Sequence, residues 1–186
     1  MNIMNIKHGI RGGLAVLALS AGFATAQDAP FGTDADAEYA ARLWSIMEEM
    51  NMAGEGMIRT FPYEGVAPHG MMLETLYTTA TVGAHTGDLV IKRNYGPEGV
   101  SIDAVMNDPD KHLGAVTVMF RREAGYDPDN ADWFWVKYLP DGSLDKNPKG
   151  ARLAGKVAKG MDAGCIACHN RAGDDMLYTT DHLGSD

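Results

Sequence analysis

Both cysteines of the 186-residue chain lie in one short stretch, "GCIACHN" (Gly164–Asn170), and a histidine follows the second directly. Cys165, Cys168 and His169 could form a disulfide, a redox dithiol, half of a zinc site or the attachment point of a c-type haem. A bridge between Cys165 and Cys168 would close a very small loop and stabilise little. A thioredoxin-like dithiol needs its motif at the start of a helix after a strand, early in a βαβ unit. Here the motif is near the C-terminus, after a segment that reads as helical. Structural zinc needs four ligands, and there is no second cysteine pair. The adjacent histidine discriminates, because with 6 histidines in 186 residues it would fall there by accident roughly 3% of the time. The spacing also suits haem. Two thiols add across two vinyl groups on neighbouring edges of a flat ring, and about one helical turn, ~5.4 Å, separates side chains three to four apart. Cys165 and Cys168 can reach both vinyls, and His169 then supplies an axial nitrogen to the iron.

The sixth iron position is the next question. After His169 the only methionine is Met176, too close in sequence to cross the ring easily. His69, Met71, Met72 and Met119 are upstream candidates, although His69 in "APHG" reads as a turn or surface histidine. The expectation is an open distal site, suited to binding or chemistry of a small molecule.

The elements that must position this motif are legible in part. Lys7 and Arg11, the apolar run "LAVLALSAGFA" (Leu14–Ala24) and the small residues "ATA" before Gln27 form the three regions of a secretory signal peptide over residues 1–26. The run is too short to span a membrane. Export to the periplasm is expected, with no membrane insertion of the mature chain. Removing residues 1–26 leaves 14 basic against 25 acidic residues, a balance of −11. Such a surface repels phosphate backbones and excludes nucleic acid as a natural partner. It suits a small neutral or cationic substrate, or a basic redox protein.

Residues 27–36 read as a loose polar tail, and residues 37–186 as one domain. Tyr39, Leu43, Ile46, Met47 and Met50 recur at helical spacing, with Asp36 as the expected N-cap. The period then changes. Met71–Thr79, Asp88–Tyr95, Ala115–Arg122 and Asp132–Pro140 are short, rich in β-branched and aromatic residues, and bounded by turn formers. They predict four antiparallel strands, with a fifth candidate at Asp175–Thr180. Ala151–His169 reads as helical in two pieces. The fold class is therefore α+β, mainly antiparallel sheet with short helices, the haem motif lying in a C-terminal helical segment. The strands argue against a four-helix-bundle cytochrome c′.

"VTVMFRREAGYDPDNADWFWVKYLPDGS" followed by "GCIACH" resembles the cytochrome P-460 family, which includes the β-sheet cytochromes c′-beta. "HG" at His69–Gly70 and "GDLVIKRNY" in the middle match its pattern too, so the similarity spans about residues 60–180. It implies an antiparallel sheet with short helices, one haem c per chain and a homodimer. In cytochromes P-460 proper, a strand lysine bonds covalently to a meso carbon of the haem, and Lys92 of "GDLVIK" matches that position. Taken alone Lys92 is an ordinary strand lysine. If its face packs on haem, desolvation would lower its pKa and favour the neutral, nucleophilic amine. One departure concerns the distal carboxylate of hydroxylamine-oxidising members, because Ala115–Met119 contains none. Glu74, Asp103 and Asp132 are the nearest acids in pattern, and Phe120 or Phe61 could instead form an apolar distal wall.

The resemblance implies an exported monohaem protein that oxidises or binds small nitrogen species such as hydroxylamine or nitric oxide, with a redox partner if it is an oxidoreductase. The alternatives are a non-catalytic nitric-oxide binder and a plain electron-transfer cytochrome. Alternation in "DWFWVKY" puts Trp133 and Trp135 on one face and Phe134 and Tyr138 on the other. A partner chain is one natural cover for the second face.

Overall fold

A computed structural model describes Met1 and residues 30–180. Apart from Met1, the expected signal peptide lies outside the described residues. The chain runs α1 (Asp34–Glu49), β1 (Tyr63–Glu64), β2 (Met72–Val82), β3 (His85–Tyr95), α2 (Ile102–Asn107), α3 (Pro109–His112), β4 (Leu113–Arg121), β5 (Trp133–Tyr138), β6 (Ala154–Gly155) and α4 (Cys165–His169). The strands form one antiparallel sheet in the order β1-β2-β3-β4-β5-β6, so every sheet neighbour is also the next strand in sequence. The α+β expectation holds at this level, and each of the four predicted strands is present.

The sheet separates the molecule into two sides by strict alternation. On one side Leu89 and Ile91 of β3, Val116, Val118 and Phe120 of β4, and Phe134, Val136 and Tyr138 of β5 pack under α1 through Tyr39, Leu43 and Met47. Burying side chains of this size contributes roughly 1.5–3 kcal/mol each. The Tyr138 hydroxyl donates to the Ala40 carbonyl at 2.8 Å, pinning helix to sheet. The face with Phe134 and Tyr138, expected to want a partner chain, is thus covered by this chain's own α1. The other side carries Val90, Met119, Trp133 and Trp135, which pack with Phe31, Val157, Ile166 and Met176. This second side holds the candidate site.

Several boundaries differ from expectation. The N-cap of α1 is Thr33, not Asp36. The Thr33 hydroxyl accepts from the Asp36 N–H, and the Asp36 carboxylate accepts from the Thr33 N–H, each at 3.1 Å, a reciprocal capping box. Residues 31–36 are therefore not a loose tail, and Phe31 is buried and bridges to Gly155. Ala151–Gly164 is not helical. Positive φ angles at Gly155, Ala158 and Gly160 (+100°, +66° and +70°) break any helix, and Ala154–Gly155 instead forms the edge strand β6. Asp175–Thr180 is not a strand. Its carbonyls are taken by side chains, Asp175 by the Trp133 indole at 3.0 Å and Met176 by His169 at 2.8 Å.

Candidate functional site

Helix α4 carries the three motif residues on a single turn. It starts at Gly164, whose φ is +121° and where an added Cβ would lie 2.4 Å from the Ala158 side chain. Only glycine lets the helix begin so close to the preceding loop. Cys165 and Cys168 are free, half-buried thiols. Burial pushes the Cys165 thiol up to about 11, so it stays protonated at neutral pH. His169 is 6% exposed. Its Nδ1–H donates to the Met176 carbonyl, and Trp135 and Tyr178 flank its ring at centroid distances of 4.8 and 5.3 Å. Because a carbonyl only accepts, the remaining nitrogen, Nε2, carries the lone pair.

The opposing surface comes from the sheet. Val90, Lys92 and Asn94 point to this side from β3, Ala115, Thr117 and Met119 from β4, and Trp135 and Lys137 from β5. Together with α4 they bound a cavity of about 710 Å³. Lys92 is 8% exposed, and no hydrogen-bond or carboxylate partner meets its amine among the described residues. Desolvation lowers its pKa, and the nearby Cys168 acts weakly in the opposite sense. Lys137 differs, since its amine is paired with Asp145 at 2.8 Å. Among the described residues the buried Trp135 indole N–H meets no acceptor. An unpaired buried donor is costly, which makes both Trp135 and Lys92 natural contacts for something that fills the cavity.

His69 also lines the cavity, although it lies on the turn before β2. Gly70 permits this approach, because a Cβ there would sit 2.5 Å from the Tyr95 backbone. The His69 ring meets the Asn94 side-chain oxygen at 3.1 Å and the Thr117 hydroxyl at 3.4 Å. Burial, with Lys92 nearby, lowers its pKa to about 4 and keeps the ring neutral. The turn was legible, but the inward direction of the ring was not. Asn94, a buried polar residue two places after Lys92 on the same strand face, is the signal that could have found it.

The acids named in the sequence do not enter the site. Glu74 is on the α1 side, fully buried against Arg93 and Arg59. Asp132 accepts from the backbone of Gly125 and Asp127, and Asp103 lies in the first turn of α2. Neither proposed phenylalanine forms the wall. Phe120 is buried on the α1 side, and Phe61 is 70% exposed. Phe31, Val90, Met119 and Trp135 supply the apolar lining, and among the described residues Glu98 is the one carboxylate on it. No protein-family model, curated protein or solved structure matches the chain.

Proposed function

We propose that the chain is an exported, periplasmic monohaem c-type protein of the cytochrome P-460 kind, which binds or oxidises small nitrogen species such as hydroxylamine or nitric oxide. The supporting observation is convergence. Cys165, Cys168 and His169 on α4 and the partnerless Lys92 on β3 border one mainly apolar cavity. Its volume, about 710 Å³, falls within the ~300–1,000 Å³ usual for cofactor sites. The donor set suits haem: two thiols one helical turn apart, and an imidazole whose Nδ1 is already held.

Haem iron, when bound, supplies one-electron chemistry and an axial place for a small ligand. The chain's own residues do the rest. The Cys165 and Cys168 thiols would hold the group, each by adding S–H across a vinyl group with no net oxidation. Nε2 of His169 is free to donate, and the Met176 carbonyl fixes its orientation. Phe31, Val90 and Met119 exclude water. The Lys92 amine, its pKa lowered by desolvation toward the nucleophilic neutral form, would be the group to bond to a ring meso carbon. That bond replaces C–H and N–H by C–N and removes two electrons and two protons, so it needs a two-electron oxidant such as a peroxide. Capture of nitric oxide is favoured over turnover by the lining, whose only carboxylate among the described residues, Glu98, is exposed. A buried base for proton removal from hydroxylamine is absent among the described acidic residues of the lining.

The test is protein made in a host that matures c-type haem. Its haem should survive acid–acetone extraction and should be lost from the Cys165→Ala/Cys168→Ala variant. Complete extraction of haem from the wild type would sink the proposal. Absorption spectra and nitric-oxide titration of the same sample distinguish capture from hydroxylamine turnover.

A further inference from the structure

The His69 and His169 rings both border the cavity, with centres 6.3 Å apart and planes at 82°. In each, Nδ1 is engaged by an oxygen. For His169 it is the Met176 carbonyl, and for His69 the Asn94 side-chain oxygen. The Asn94 amide cannot be the other way round, because its nitrogen donates to the Lys92 and Ala115 carbonyls, both at 3.3 Å. Oxygen and nitrogen are therefore assigned, Nδ1 of His69 carries the hydrogen, and its Nε2 holds a lone pair. An imidazole whose other N–H is tied to an oxygen is the usual arrangement around a bound metal.

Distance decides the role. Two metal–nitrogen bonds of about 2.0–2.1 Å, with roughly 1 Å from each nitrogen to its ring centre, put two imidazoles sharing one metal about 6 Å apart. A histidine that only hydrogen-bonded to a molecule on the iron would need room for that molecule and a further ~2.7–3.2 Å contact. The 6.3 Å separation leaves no such room. The Lys137 amine is committed to Asp145 and is not a free competitor.

With haem held by Cys165, Cys168 and His169 as proposed above, we infer that His69 is a second axial ligand. It closes the remaining iron face in the resting protein, and a small molecule enters by displacing it. The open distal site expected from the sequence is then a closed one with an internal, replaceable occupant. Asn94 and Thr117 are positioning residues that hold the ring where it can return.

The test uses the full chain with matured haem, carbon monoxide as the probe of the ferrous iron, and imidazole as the rescue reagent. The wild type should be low-spin and six-coordinate. His69→Ala should keep its covalent haem but become high-spin, and added imidazole should restore the low-spin spectrum. An internal ligand that leaves roughly 10% or less of the sites open weakens apparent affinity about tenfold or more, so His69→Ala should bind carbon monoxide tighter by at least about that factor. In the wild type the binding rate should level off with carbon monoxide concentration, because loss of His69 becomes limiting. A high-spin wild type with covalent haem, or a low-spin His69→Ala without imidazole, overturns the assignment. Should His69→Ala fail to fold, the wild-type spectrum and rate plateau decide alone. Haem that extracts completely overturns the attachment itself, an outcome distinct from failure of His69.

Discussion

Glu74→Gln tests the anchor that lies behind the site. Glu74 on β2 and Arg93 on β3 are direct cross-strand partners, both with fully buried side chains, bonded at 2.8 Å. Arg93 also donates to the Ile58 carbonyl at 2.6 Å and the Met52 carbonyl at 2.8 Å, and Arg59 closes on Glu74 from the half-buried side. Glutamine keeps the shape but removes the charge. Breaking a buried pair typically costs about 3–5 kcal/mol, because the remaining ion is left uncompensated. Arg93 keeps two carbonyl partners and Arg59 can turn to water, so the low end, about 3 kcal/mol, is expected. With a urea slope of ~1–3 kcal/mol/M, the unfolding midpoint should fall by roughly 1–3 M. Replacing both partners, as Glu74→Met with Arg93→Met, removes the unpaired charge and should recover most of that loss. The reasoning fails if the single variant unfolds within about 0.3 M of the wild type, or if the double variant is no better than the single.

Thr33→Ala deletes one half of the α1 capping box and should cost about 1 kcal/mol in the same urea assay, whereas Thr33→Ser should cost little. Gly164→Ala forces a side chain into the Ala158 methyl at a positive φ; a stability loss of a few kcal/mol and poor haem retention are expected, and normal haem content would count against the α4 geometry. Lys92→Arg keeps charge but not nucleophilicity, so the haem should remain on the Cys165–Cys168 peptide alone. If proteolysis and mass spectrometry recover Lys92 unmodified from the wild type as well, there is no lysine cross-link, and the cytochrome c′-beta comparison is the better one.

The strands were legible because they are short runs rich in β-branched and aromatic residues whose ends carry glycine, proline or aspartate. β2 and β3 run a few residues longer than expected, since pairing continues beyond Thr79 to Val82 and begins at His85, ahead of Asp88. Ala151–Gly164 was misread because alanine and lysine spacing mimics a helix, while the left-handed angles at Gly155, Ala158 and Gly160 are set by tertiary packing. Cys165, Cys168 and His169 could be picked out from type and spacing, and the structure places them on one short helix beside the cavity. His69 could not, because a turn histidine points inward or outward according to what Gly70 and Asn94 allow, and neither effect has a sequence period. Glu74 went the same way. Its strand was visible, but not the register that sets Glu74 opposite Arg93, on the face away from Lys92.

The strictly sequential strand order also has a consequence in time. Because each strand pairs with the one made just before it, β1 to β5 and the covering α1 can assemble from near neighbours in the chain. Everything that bears Cys165, Cys168 and His169 comes later; it joins the ladder through the two-residue β6 and packs Val157, Ile166 and Met176 against Trp133 and Trp135. The floor of the cavity is thus an early unit and the thiol-bearing segment a late one. In such an order the two thiols stay reachable while the surface they will close against already exists, so that, if the proposed haem is attached, its attachment and the final docking would be a single closing step.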